Sequence, residues 1–225
     1  MANRQRLERI RLPQGTLVYP ALQTPDTKFD SGGVYKTDVK LDPTDPAVAA
    51  LITKLEGIRD TFREEQMAAA KGATLAKMKK AKVKPVVKPE YDDDGEETGM
   101  VLFHAKQKAV VTSTTTGRTH TFGVSVYDAQ KNVLKKDVWS GSVANVVVDI
   151  QPWAVMTDDP AFLISLKLVA VQVIDFVGPG GGKGGDFFDC EEGYVEPQEG
   201  AADDPAPAVD APAPEGSNGD SARDF

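Results

Sequence analysis

Between Gly33 and Leu41 the chain alternates. Tyr35, Thr37, Val39 and Leu41 stand against Lys36, Asp38 and Lys40. A period of two predicts a strand with one buried face, and it places Lys36 and Lys40 together on the solvent face. Upstream, Thr16 to Leu22 predicts a shorter strand, with Pro20 favouring an edge or an end. Gln23 to Gly33, with Pro25, Gly32 and Gly33, predicts a loop. At Asp42 the period changes. Val48, Leu51, Ile52, Leu55, Ile58 and Phe62 form one apolar stripe at helical spacing. Asp45 suits the N-cap and Pro46 the first helical position. The helix is predicted to run to about residue 70, with Gly72 bending or breaking it and Leu75 to Lys80 continuing it.

Past the helix, Pro85 and Pro89 predict an extended connection, and Asp92 to Glu97 (DDDGEE) a turn. Strand patterns then dominate. Met100 to Ser113 puts His104, Lys106 and Lys108 on one face, with Phe103, Ala105, Ala109 and Val111 on the other. After a turn at 114–117, Arg118 to Asp128 alternates again, and the pair reads as a β-hairpin. Lys131 to Ser140 is a polar connection. Val143 to Ile150 is a strand closed by Pro152-Trp153. Phe162 to Phe176 is apolar at most positions, as expected of a strand buried on both sides. Five or six strands with one long helix inserted after the second favour a mainly β fold. The prediction is a five-stranded barrel of the oligonucleotide-binding (OB-fold) type, with a β-sandwich as the rival.

Charge divides the chain in two. Residues 186–225 hold twelve acids against one base, Arg223, among many Pro, Ala and Gly. Such a segment cannot bury enough apolar surface to offset its ordering entropy. It is expected to be a disordered acidic C-terminal tail beside a folded domain of residues 1–185. The formal net charge is −8, yet residues 1–185 keep 25 of the 26 bases and 22 of the 34 acids. A mildly basic body with an acidic tail differs from an acidic protein, because attraction to polyanions depends on where the charge sits. Residues 1–12, with Arg4, Arg6, Arg9 and Arg11, read either as a frayed terminus or as a basic arm contacting phosphates. Lys71 to Lys88 holds seven lysines and no acid. It reads either as a solvated helix end and loop or as a phosphate-contacting patch. The one cysteine, Cys190, excludes an internal disulfide and fits a reducing compartment. Ala161 to Val177 is too short and too interrupted by Lys167, Gln172 and Asp175 to span a membrane. A soluble, cytoplasmic protein is expected.

Motifs for catalysis fail on spacing. His104 and His120 have no Cys or carboxylate partner at metal-ligand intervals. Gly178 to Gly185 (GPGGGKGG) lacks the first Gly and the Ser/Thr of a phosphate-binding loop, and reads as a flexible linker. In DDDGEE, the sixth position of a calcium loop would be Glu97 rather than Gly. The reading is therefore no enzyme, no cofactor and no metal. Binding chemistry does better. Single-strand binding without sequence preference needs cations along the phosphates and aromatic faces for the bases. The basic candidates are Lys36, Lys40, Lys106, Lys108 and Arg118, with Lys77, Lys79 and Lys80 beyond the helix. The aromatic candidates are Tyr35, Phe103, Trp139 and Trp153, while Phe122, Phe162 and Phe176 are expected in the core.

The run Gly33-Val34-Tyr35-Lys36-Thr37-Asp38 resembles the Gly-Val-Tyr-Lys strand of the T-seven-like bacteriophage single-stranded DNA-binding proteins. So does the closing order: Pro152-Trp153, the apolar strand Ile164 to Phe176, the Gly run 178–185, and an acidic tail finishing in Asp224-Phe225. Only Trp153 stands where that family has two aromatics after the proline. The resemblance implies an OB-fold protein that coats single-stranded DNA in phage replication and recombination, in the cytoplasm of a bacterial host. It implies DNA contacts at Tyr35, Lys36 and Trp153. It further implies a tail that competes with DNA for the basic groove, with Asp224 and Phe225 meeting replication partners such as the polymerase and the helicase-primase. Two alternatives fit the residues: a structural or assembly protein with a solubilising acidic tail, and an RNA-binding OB-fold protein. Oligomeric state is open.

Overall fold

The computed structural model describes residues 8–113 and 115–179. The acidic tail 186–225, most of the Gly-rich linker, the first half of the basic arm, Cys190, Asp224 and Phe225 lie outside the described residues.

The first strands are β1 (Glu8–Arg11), β2 (Gly15–Asp26) and β3 (Val34–Leu41). In β3 the alternation is realised. Val39 and Leu41 are buried with Thr37, and Lys36, Asp38 and Lys40 face outward. Helix α1 (Pro46–Ala69) begins as expected, with the Asp45 carboxylate accepting the Ala47 N–H at 2.7 Å and Pro46 in the first turn. Its stripe drives Val48 and Leu55 into the core, with Leu51, Ile52 and Ile58 packed beside them. Each such buried aliphatic side chain is worth about 1.5–3 kcal/mol. Gly72 adopts φ +54, a left-handed conformation that costs glycine little, and the chain restarts as α2 (Gly72–Lys79). Among the described residues there are thus two helices where one was expected. A second small core joins them to the strands, with Met78, Ala81 and Phe162 buried against Phe62 and Met67.

The remaining strands are β4 (Lys82–Val83), β5 (Lys88–Tyr91), β6 (Glu97–Lys108), β7 (Val110–Thr112), β8 (Thr119–Thr121), β9 (Ser125–Tyr127), β10 (Val143–Val155) and β11 (Ala161–Asp175). Five of the strands follow one another around a ring: β2, β3, β6, β11, β10 and back to β2. Three junctions are long antiparallel ladders. The other two are only two residue pairs each, Thr16 and Gly15 on Val143 and Ala144, and Leu166 and Lys167 on Ala105 and Lys106. The result is an OB-type barrel without clean closure. Its interior holds Leu17, Val39, Phe103, Ala105, Val146, Val148, Leu166 and Leu168.

Several expectations need correction. The expected hairpin of Met100–Ser113 with Arg118–Asp128 shrinks to the three-residue pairs of β7 and β8. β6 gives its length to β3 and β5, and β9 turns away to pair β11 in parallel. Part of the basic arm is not an arm. Residues 8–11 pair β10, and Arg9 is held by Asp149 through bonds of 2.7 and 3.0 Å. β10 does not stop at Pro152 but runs on to Val155, because its ladder with β11 continues through Pro152 opposite Ile164 to Val155 opposite Ala161. No helix among the described residues is long and apolar enough to cross a membrane.

Candidate nucleic-acid interface

The outer face of the ring collects what alternation excludes from the core. On β6, Phe103 and Ala105 point inward, so His104, Lys106 and Lys108 point outward. On β11, burial of Leu166 and Leu168 sends Leu163, Ser165 and Lys167 to the same outer face. On β10, burial of Val148 and Ile150 does likewise for Asp149, Gln151 and Trp153. The registers then align them. Trp153 lies opposite Leu163, Gln151 opposite Ser165, Asp149 opposite Lys167, and Lys167 beside Lys106. The apolar run of β11 is therefore not buried on both sides, since its outer positions form the floor of a groove.

That groove has a volume of about 780 Å³. Trp153 and Val155 line it together with Val111 and Phe122 from the β7–β8 hairpin and its exit. Lys106, Lys108 and Lys167 supply positive charge, and Asp30 and Gln107 also contribute. Trp153 is 52% exposed and Phe122 42% exposed. Both rings thus offer surface to a ligand while their bodies rest on protein. A second hollow of about 330 Å³ shares Lys106, Leu163 and Ser165 with the first. It adds Lys84, Lys88 and His104, so the two make one lysine-lined track across β6 and β11.

Ion pairing decides which cations are available. Lys36 is bound to Asp26, Lys40 to Glu90 at 3.1 Å, and Lys108 to Asp30 at 2.9 Å. His104 Nδ1 lies 2.5 Å from Asp38. These contacts hold the carboxyls of Asp26 and Asp30 below the usual carboxylate range, chiefly through the lysine hydrogen bonds. Lys106 and Lys167 form no ion pair among the described residues. Of the three lysines lining the groove, they are the ones ready for a phosphate.

The sequence candidates divide accordingly. Lys106, Lys108 and Trp153 come together in the groove, and Arg118 is exposed on the hairpin that borders it. Phe103 is a correction. It is fully buried in the barrel core and has no face to offer a base. Phe122 and Phe176, expected in the core, are exposed, whereas Phe162 is buried as expected. Tyr35 is half-buried against the core and lines a different hollow. Trp139 and Lys36 line yet another, of about 530 Å³, with Tyr19, Asp26 and Asp137. Its two acids and already paired lysine make that cleft a poor place for phosphate. Lys77, Lys79 and Lys80 cluster at the end of α2, outside the groove lining. Lys167, Gln151 and Ser165 were missed. Their only signal was the polar interruption of an apolar strand, which acquires meaning once the register places them beside Trp153.

Solved structures share this architecture. The crystal structure of gp2.5, a single-stranded DNA-binding protein encoded by bacteriophage T7, superposes with a TM-score of 0.58 at 22% identity, covering 85% of this chain and all of that one. The fold is that of the phage single-stranded DNA-binding proteins. The single-stranded DNA-binding protein from bacteriophage Enc34, solved in complex with ssDNA, matches with a TM-score of 0.50 at 18% identity over 75% of this chain and 87% of that one. No protein-family model matches the sequence, and no curated protein matches it either. The resemblance read from Gly33–Asp38 and the closing elements is thus a resemblance of fold.

Proposed function

We propose that this protein binds single-stranded DNA along the groove of β6, β10 and β11, as a binder rather than an enzyme, and coats the strand without sequence preference in phage replication and recombination. The observation that carries the reading is the pairing of half-exposed Trp153 and Phe122 with unpaired Lys106 and Lys167 on one barrel face. Aromatic faces serve any base, and cations track the backbone. Among the described residues lining the groove, Gln107, Gln151 and Ser165 are the uncharged polar side chains, too few to form a row of donors for reading base edges. Support comes also from the shared fold with proteins described as binding single-stranded DNA.

The proposal includes residues 186–225 as a separate acidic segment that competes with DNA for these lysines and frees Asp224 and Phe225 for replication partners, polymerase or helicase-primase, in the bacterial cytoplasm. Its support is the charge division of the sequence. The test is a fluorescence-anisotropy titration of labelled oligo-dT, oligo-U and duplex DNA against the full chain and residues 1–185. Tighter binding of oligo-dT than of duplex, and tighter still without 186–225, is the expected result. Equal affinity for duplex at about 0.1 M salt would overturn the single-strand reading. Preference for oligo-U would move the function to RNA.

A further inference from the structure

We propose that Asp30 is a carboxylate built into the groove that competes with the bound strand for Lys108 and so limits how tightly the strand is held. The inference rests on the groove being the single-strand interface. Asp30 is the one acid among the described residues lining it, in the company of Trp153, Phe122, Lys106, Lys108 and Lys167. Its carboxylate accepts from Lys108 Nζ at 2.9 Å, and Oδ1 accepts the Gly32 N–H at 3.0 Å. The first contact occupies a cation that a phosphate needs. The second fixes the carboxylate in place through a tight turn, with Gly33 at φ +78 and its N–H donating to the Asp30 carbonyl at 2.8 Å.

A phosphate arriving at Lys108 meets an anion already there. An ammonium has three N–H groups and can reach both, but two anionic oxygens would then sit side by side. The strand must therefore displace Asp30 or tolerate it. Displacement is easy, because the pair is open to water, with the Lys108 side chain 62% exposed and that of Asp30 32%. Exposed pairs are weak and readily exchanged. Asp30 also sits on the loop between β2 and β3, where Phe29 is 88% exposed with the Lys28 ammonium 5.3 Å from its ring centre. The loop follows Asp26, the last residue of β2, which holds Lys36. The end of β2 and the loop after it thus cover two outward lysines of adjacent strands with carboxylates. Lys106 and Lys167 make the first contact, and Lys108 joins only by exchange.

The experiment is oligo-dT binding by the full chain, comparing wild type with Asp30→Asn, Lys108→Gln, the double variant, and Asp94→Asn as an equal charge change on an exposed turn outside the groove. Asparagine keeps the oxygen that accepts from Gly32, so the loop is retained, and matching thermal melts verify this. Asp30→Asn should tighten binding about three- to fivefold, mainly by slowing dissociation. Asp94→Asn should change it less than about twofold. In the Lys108→Gln background the Asp30→Asn effect should fall to that level. No tightening by Asp30→Asn overturns the proposal. Equal tightening with and without Lys108 also overturns it, since that is a general charge effect. A folded wild type that fails to bind oligo-dT at all removes the groove reading and this inference with it, an outcome distinct from either variant result.

Discussion

Trp153 and Phe103 are both aromatic, both on strands of the ring and both candidates for stacking from the sequence, yet the structure assigns them opposite consequences. Trp153 stands on the outer face opposite Leu163, with about half its surface in solvent. Trp153→Ala removes a stacking platform worth about 1–3 kcal/mol per base, or about five- to 150-fold in Kd. Its cost to folding is about 1 kcal/mol, because only half of the ring is buried. Phe103 is fully enclosed by the barrel core. Phe103→Ala should cost about 3–5 kcal/mol of stability through lost burial and the cavity left behind, and leave the affinity of the molecules that remain folded unchanged. Oligo-dT anisotropy gives the first quantity and urea unfolding the second. A Trp153→Ala protein that is folded and binds like wild type would refute the assignment of the groove. A folded Phe103→Ala protein with selectively weakened binding would refute the assignment of Phe103 to the core.

Removing the unpaired cations by Lys106→Gln with Lys167→Gln should weaken oligo-dT binding and make the plot of log K against log salt shallower by about 1.4, as for two lost phosphate contacts on a single strand. An unchanged slope would place the phosphates elsewhere. The Arg9 hydrogen bonds hold the Asp149 carboxyl below the usual range, against the burial that raises it. A carboxyl with a lowered folded pKa stabilises the fold above its unfolded value of about 4 and loses that contribution as pH falls through its folded value. Asp149→Asn should therefore be less stable than wild type at pH 7, with the gap closing below about pH 4, read from urea midpoints across pH. Gly15 lies at the short β2–β10 junction, where a Cβ would come within 2.6 Å of Leu41 Cδ2 and 2.7 Å of the Lys40 carbonyl oxygen. Gly15→Ala should cost about 1–3 kcal/mol by pushing the start of β2 away from β3, measured as a lowered Tm with binding of the folded fraction retained.

Local rules were enough for much of the architecture. The strict alternation of β3, the Asp45–Pro46 helix start and the Gly72 break depend on neighbours within a few residues, and they appear where the pattern put them. The outward set His104, Lys106 and Lys108 follows from period two as well. What failed depended on partners distant in sequence. Arg9 reads as a free cation until β1 is laid beside Asp149, well over a hundred residues away. Lys36, Lys40 and Lys108 read as free until the end of β2, the loop after it and β5 bring Asp26, Asp30 and Glu90 against them.

By itself, then, the sequence determined which residues alternate, where the helix starts, and that a basic body precedes an acidic segment. Each follows from local sterics, from periodicity or from composition. Only the tertiary structure decided which aromatics are walls of a groove and which are core. A ring alternating with polar residues obeys the same period on either face. The inside of the ring is chosen by closure, when β10 and β11 complete it around Phe103 and leave Trp153, Lys106 and Lys167 together on the outside.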